Sequence, residues 1–280
     1  MFEPNDNPVQ LVKHLHKVPE NKRIFPALLS EKYDGVFGFA LPDGRIYSRA
    51  GNRCYSLQHF EQRIKDVMDR CSEYGLSKHV LIFEVYAYDW TFPKISGAFR
   101  RQKEQFADAT LMIHDAVAYS NFMVGSSSTA FKYRTMVAKA FAQRIQGAEY
   151  VEQMLVYAEE EAYAHAENII ADGGEGVVLR DPDAGWKAGA RNETCTKIKI
   201  EERAECLITG VQNGEGKNED VACVVVEYNG HSQTVAGGTY ADRKKWLKKP
   251  SLVTGKKAVV EYMCTTPDGK MREPRLKGIK

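Results

Sequence analysis

A chain of 280 residues, with 43% hydrophobic and 27% charged side chains, has the make-up of a soluble globular protein and room for one large domain or a large and a small one. No run approaches the roughly 18 uncharged apolar residues that a membrane span needs. Met1-Phe2-Glu3-Pro4-Asn5-Asp6 lacks the basic and apolar blocks of a secretory signal, so a cytoplasmic location is expected. Cysteines 54, 71, 195, 206, 223 and 264 are scattered without a Cys-X-X-Cys pair, which argues against a structural zinc site and a disulfide framework. The net charge of +2 is uneven: from Tyr240 onward twelve Lys or Arg face four Asp or Glu, so that segment carries +8 and the rest −6. A basic segment on an acidic body suits a polyanion held at one end, or only a solvated helix over Arg243–Lys249.

Asn7-Pro8 followed by Val9, Val12, Leu15 and Val18 predicts a capped amphipathic helix ended by Pro19. Two apolar runs, 24–29 and 36–41, then flank the crossing Ser30-Glu31-Lys32-Tyr33-Asp34-Gly35, a strand–turn–strand pattern. Pro42-Asp43-Gly44 turns the chain back, and 48–53 is a polar loop carrying Arg49 and Arg53. Ser56 is expected to cap a helix with Leu57, Phe60, Ile64, Val67, Met68 and Cys71 on its core face, closed by Gly75. Segments 79–86 and 110–117 read as strands, the first holding Glu84 and the second His114-Asp115. Between them, 97–101 with Arg100 and Arg101 reads as a short helical connection. Ser128 is expected to cap a helix whose Tyr133, Val137, Ala140, Phe141 and Ile145 face inward, stopped by Gly147. An extended stretch over 150–157 and a helix over 159–170 follow, and then a buried strand, Glu175 to Arg180. In Thr196–Ile200 the alternation puts Lys197 and Lys199 on one side and the isoleucines on the other.

Past residue 203 the texture becomes short strands and glycine turns: 206–211, 221–228, 231–236, 257–263 and 271–279, with one basic helix. Five short strands and a helix in about 80 residues suit a small Greek-key barrel of the OB type, with a boundary near 201–204. Gly214-Glu215-Gly216-Lys217 lacks the spacing and the following Ser/Thr of a phosphate-binding P-loop and reads as a hairpin turn.

Lys32 is the residue with the most chemical potential. A lysine beside buried strands is partly desolvated, which lowers its pKa, and a neutral amine is a nucleophile. Asp34 can orient it or a substrate hydroxyl, and Gly35 lets the backbone approach a ligand. The tetrapeptide alone reads more readily as a surface turn between two strands. Glu84 inside an apolar strand needs a partner or a metal.

Taken in order, these stretches resemble the covalent nucleotidyltransferase superfamily and, within it, the small ATP-dependent DNA ligases of phages and some bacteria. Lys32-Tyr33-Asp34-Gly35 is similar to the lysine motif and Ser48-Arg49-Ala50-Gly51 to the arginine motif. Phe83-Glu84, Met112-Ile113-His114-Asp115, Glu175–Arg180 and Lys197-Ile198-Lys199 resemble the motifs that follow. Gly214-Glu215-Gly216-Lys217 and the closing run from Arg272 to Ile279 resemble the ligase OB domain. The fold implied is α+β: a nucleotidyltransferase (ATP-grasp-like adenylation) domain of antiparallel sheets with flanking helices over 1–202, then an all-β OB domain over 203–280.

The resemblance implies three steps: Lys32 takes AMP from ATP, AMP passes to the 5′-phosphate of a nick, and the 3′-hydroxyl displaces it. It makes Lys32, Asp34, Lys197 and Lys199 catalytic. It places Ser30, Glu31, Arg49, Glu84, His114, Glu175, Arg272 and Lys277 with Lys32 and the lysine pair around the nucleotide. Mg²⁺ is assigned to Glu175 and Glu84, and the nick's 5′-phosphate to Arg49. Arg53, Arg100, Arg101, Lys244, Lys245 and Lys248 are assigned with Arg49 to nicked double-stranded DNA. Arg180 is expected to pair with a nearby carboxylate in support. No membrane or obligate protein partner is implied, and a monomer is expected.

Two positions depart from the pattern. Phe37 stands where such ligases carry an arginine, leaving Arg53 or Arg101 to take that part, and His114 stands where an aromatic stacks on adenine. An RNA ligase is the second reading, since the same lysine, glutamates and lysine pair would serve it. A non-catalytic nucleic-acid-binding OB protein is the third, kept open by Phe37 and His114.

Overall fold

The computed structural model describes residues 9–199, 201–263, 265–266 and 268–280, without the side chain of Lys217. The expected cap Asn7-Pro8, Ile200 of the alternating strand, Cys264 and Pro267 lie outside the described residues. The chain divides into two compact units, the first running through Ile198 and the second from Lys199 to Lys280.

The first unit is built on two five-stranded sheets. One has the order Ile46–Ser48, Val36–Ala40, His79–Tyr86, Thr110–Ala118, Ala148–Tyr150. Its strands are apolar on both faces because both are covered. One face meets the helices Gln58–Asp69 and Phe131–Ala142 through Leu81, Phe83, Val85, Leu111 and Ile113. The other presents Phe37, Phe39, Val80, Ile82 and Val117 to Phe122 and Trp186. The other sheet has the order Lys13–His14, Cys195–Lys199, Gly176–Arg180, Ala27–Glu31, Met154–Val156. The helix Glu159–Ala171 covers it, with Ala162 and Ala166 against Leu29, Val177 and Leu179.

Three expectations are corrected. Residues 9–18 form no helix: Lys13–His14 is a parallel edge strand beside Thr196 and Lys197, followed by a 3₁₀ turn over Leu15–Lys17. Ser56 caps nothing; its hydroxyl donates to the Phe99 carbonyl at 2.8 Å inside the core. The helix Phe131–Ala142 is not capped by Ser128 and buries Phe131, Arg134, Thr135, Ala138 and Phe141, while Tyr133 is exposed. Arg134, a charge on the core face, displaces the true stripe from the one that apolar residues alone suggest.

The second unit is a closed five-stranded barrel: Glu202–Asn213, Ala222–Tyr228, His231–Gly237, Arg275–Ile279 and Lys257–Tyr262, the last pairing back to the first. The alternating residues Ile208, Val224, Val226, Val235, Ala258 and Val260 fill it. Asn229 and Gly230, at φ 50° and 75°, make the two-residue hairpin turn that this pair favours. The helix Tyr240–Lys248 is capped by Thr239, whose side chain accepts from the Asp242 amide at 3.1 Å. The α+β domain followed by a five-stranded OB-like barrel is the fold class expected from the sequence.

Candidate active site

Lys32 follows the last residue of the strand Ala27–Glu31, and its amide donates to the Gly176 carbonyl at 2.9 Å. That antiparallel ladder, with Glu31 opposite Val177, brings Glu175 alongside, and the Lys32 Nζ and a Glu175 carboxylate oxygen form an ion pair. The Glu175 side chain is almost wholly buried. Ser30 is buried in the strand opposite Val178. Glu31 hydrogen-bonds Tyr33, and burial nevertheless raises its carboxyl above the usual range. Tyr33 begins an edge-to-face row, Tyr33–Tyr86–Tyr88, with centroid separations of 5.2 and 5.4 Å.

Glu84 lies opposite Phe37 in the ladder, so the two share a face of their sheet. Burial pushes its carboxyl up to about 7, against the opposing pull of Lys32 and Arg49, with Glu175 and Asp34 adding to the rise. Five charged residues of the sequence expectation therefore converge: Lys32, Asp34, Arg49, Glu84 and Glu175.

His114 is placed by an irregularity. Ile82 faces Asp115 and Phe83 faces Ile113, so His114 is the extra residue of a β-bulge, a device that re-aims a side chain. Its Nδ1 accepts from Arg180 Nη2 at 3.0 Å, which leaves the ring proton on Nε2. Burial and the Arg180 charge lower its pKa to about 3, and the ring is neutral. Asp115 beneath it is buried and receives Arg134 Nε at 2.9 Å and Arg180 Nη1 at 3.0 Å. Burial alone would raise the Asp115 carboxyl, but Arg134 and Arg180 outweigh it and hold it below the ordinary range. Arg180 thus pairs with a carboxylate as expected. Arg134 is not among the residues that the sequence points to; a charge within an apolar-spaced helix is its sequence signal.

Arg49 is exposed, and its guanidinium sits above the Phe37 ring, 5.0 Å from the centroid. Arg53 instead pairs with Glu61 at 2.6 Å, and Arg101 pairs with Glu104 at 2.5 Å on the surface, where Arg100 is also exposed. Lys197 shares one face of its strand with Lys199, while Ile198 between them is in the core. Lys199, the first residue of the second unit, has its Nζ 3.3 Å from Glu273. Within the barrel Lys277 pairs with the buried Glu261, and Arg272 lies half-buried before the last strand. On the helix, Lys244 pairs with Asp220 at 3.3 Å and Lys245 with Asp242 at 3.8 Å, and Lys248 is exposed.

The arrangement offers an amine nucleophile, two carboxylates suited to a hard cation, and a guanidinium for anionic oxygens. Comparison with known proteins gives the family and the fold. Residues 9–199 match the family profile "ATP dependent DNA ligase domain". No curated protein matches the sequence. Among solved structures, one titled "Pmar-Lig_PreS3" superposes with a TM-score of 0.80 at 20% identity, over 97% of this chain and 67% of that one. A Lig E DNA ligase gives a TM-score of 0.72 at 18% identity, over 97% of this chain and 98% of that one. The ATP-dependent DNA ligase of bacteriophage T7, in complex with ATP, gives 0.54 at 20% identity, over 97% of each chain.

Proposed function

The chain belongs to the ATP-dependent DNA ligase family, and on that premise we propose that it seals 5′-phosphate/3′-hydroxyl nicks in duplex DNA with Lys32 as the carrier of AMP. The observation that carries this reading is the convergence of Lys32, Asp34, Arg49, Glu84 and Glu175. Lys32 Nζ attacks the α-phosphorus of ATP, the new N–P bond forms, and the bond to pyrophosphate breaks. Attack requires Nζ to give up a proton, and the Glu175 carboxylate touching it is the nearest acceptor. AMP then moves to the 5′-phosphate of the nick, and the 3′-hydroxyl displaces it.

Each transition state is an anionic phosphoryl group, so catalysis rests on positioning and on cations aimed at the oxygens. Lys197 and Lys199 supply two of these charges, with Asp34 holding the geometry of Lys32, and Arg49 grips the nick's 5′-phosphate in bidentate fashion. Ser30, Glu31 and the neutral His114 ring line the nucleotide, and the motif resemblance assigns Arg272 and Lys277 to its phosphates. Glu84 and Glu175 are an all-oxygen donor pair that fits Mg²⁺. When bound there, Mg²⁺ would neutralise charge on the transferred phosphoryl group. Arg100, Arg101, Lys244, Lys245 and Lys248 are assigned to the DNA backbone, which predicts affinity that falls steeply with salt, whereas Arg53 is held by Glu61 and is not counted among them. Replication, repair and recombination all generate such nicks.

The test is incubation with ATP labelled at the α-phosphate and Mg²⁺. The parent protein becomes labelled, whereas Lys32→Ala takes no label and seals no nick from ATP, yet keeps part of the activity on a pre-adenylylated nick. Equal sealing from ATP by variant and parent refutes the assignment. Faster sealing of a nicked RNA duplex than of nicked DNA would instead support an RNA ligase.

A further inference from the structure

We infer that Phe37 is a positioning residue: its ring holds the Arg49 guanidinium ready for the 5′-phosphate of the nick, an inference that rests on the role proposed for Arg49. Phe37 projects from the strand Val36–Ala40, is 9% exposed, and is anchored in the apolar cluster with Phe39, Ile82 and Trp186. Its strand neighbour Glu84 shares its face, and the His114 ring tilts against it at 6.3 Å. Above this fixed ring lies the Arg49 guanidinium, from a side chain that is otherwise exposed and makes no ion pair among the described residues. Its charge acts on both Glu84 and His114, so it lies beside the convergent cluster.

How an arginine is held decides what it can still do. Arg53 is fixed by Glu61, and Arg134 by Asp115, and in both pairs the carboxylate oxygens take up N–H donors. An aromatic face attracts the cation through its quadrupole and takes none of the five donors. A guanidinium held in this way is restrained in position while its edge remains able to meet a phosphate in two-point geometry. The neutral His114 adds no competing charge. A carboxylate at position 37 would orient Arg49 as well, but would occupy it.

The experiment is a double-mutant cycle on a nicked DNA duplex with a 5′-phosphate, measuring KM for the nick in the full-length protein. Phe37→Leu is expected to raise KM about threefold to tenfold when Arg49 is present and less than twofold in the Arg49→Ala background, with Phe37→Tyr close to the parent. A shape-conserving series, with phenylalanines of increasing fluorination incorporated at position 37, is expected to raise KM stepwise as the ring quadrupole is cancelled. If Phe37→Leu fails to fold, the fluorinated series alone decides. Equal effects of Phe37→Leu with and without Arg49, or a flat fluorine series, overturn the inference and leave Phe37 as packing. If Arg49→Ala itself leaves KM unchanged in a protein that seals nicks, the role proposed for Arg49 falls, and this inference falls with it.

Discussion

The Cα of Gly35 lies so close to the Val85 carbonyl that a β-carbon added there would stand 2.6 Å from its oxygen. The glycine of the lysine motif is thus explained by the neighbouring strand, whether or not a ligand also approaches. Gly35→Ala must push apart two backbones, Val36–Ala40 and His79–Tyr86, which are central in their sheet. Overpacking of this kind costs about 1–3 kcal/mol. Lys32 sits three residues away on the same turn, so its labelling by ATP is expected to slow about tenfold or more, since small misplacements are expensive in catalysis. Thermal unfolding measures the first effect and label uptake the second; an alanine variant with parental values for both would contradict the steric account.

Asp115 neutralises two arginines at once. With Asp115→Asn, Arg134 stays buried without its counter-charge, and breaking a buried pair from one side costs about 3–5 kcal/mol. Combining Asp115→Leu with Arg134→Met removes the wholly buried pair and leaves only Arg180, the more accessible of the two arginines, without this carboxylate, so it is expected to cost less. Urea unfolding of the two variants gives the comparison, and a double variant less stable than Asp115→Asn would show that the ion pair itself carries the stability.

Much of this site is legible in the sequence, because apolar runs interrupted by single charges give both the strand and the odd residue within it. Lys32, Glu84 and Glu175 stand out for that reason, and the sheet ladders then bring them together. Residues 9–18 are misread because Val9, Val12, Leu15 and Val18 mimic a helical stripe, whereas Val9 and Leu15 enter two different cores and the segment pairs with residues about 180 positions later. Local periodicity carries no trace of such a partner. The bulge at His114 and the ring beneath Arg49 are equally invisible, since each depends on which residue the neighbouring strand supplies.

His114 provides a pH test. Burial, and then the Arg180 charge, lower its pKa to about 3, so the ring does not titrate in the range where the enzyme folds and works. His114→Phe is therefore expected to leave the shape of the pH–rate profile between about pH 5 and 9 unchanged while lowering KM for ATP severalfold through the larger stacking surface. The new ring no longer accepts from Arg180, which is expected to cost about 1 kcal/mol of stability. An inflection that disappears in the variant would mean that the imidazole does change charge during turnover.

Glu84 titrates in the opposite sense. Burial raises its carboxyl from 4.5 to about 7, so the folded protein binds that proton more tightly than the unfolded chain does. The stability linked to this proton is complete below about pH 4.5 and is lost as the pH rises through about 7. Above that range the folded state carries a desolvated carboxylate beside Glu175 and Asp34, only partly offset by Lys32 and Arg49. Glu84→Gln keeps the shape and removes the ionisation. Without added metal it is therefore expected to raise Tm relative to the parent by more at pH 8 than at pH 5. Mg²⁺ should reverse the order at pH 8, because a cation that binds only the folded parent stabilises it by mass action and finds a weaker site in the variant. Melting curves of both proteins at the two pH values, with and without Mg²⁺, give all the comparisons. A parent whose Tm at pH 8 does not respond to Mg²⁺ at millimolar concentration would remove the carboxylate pair as a metal site.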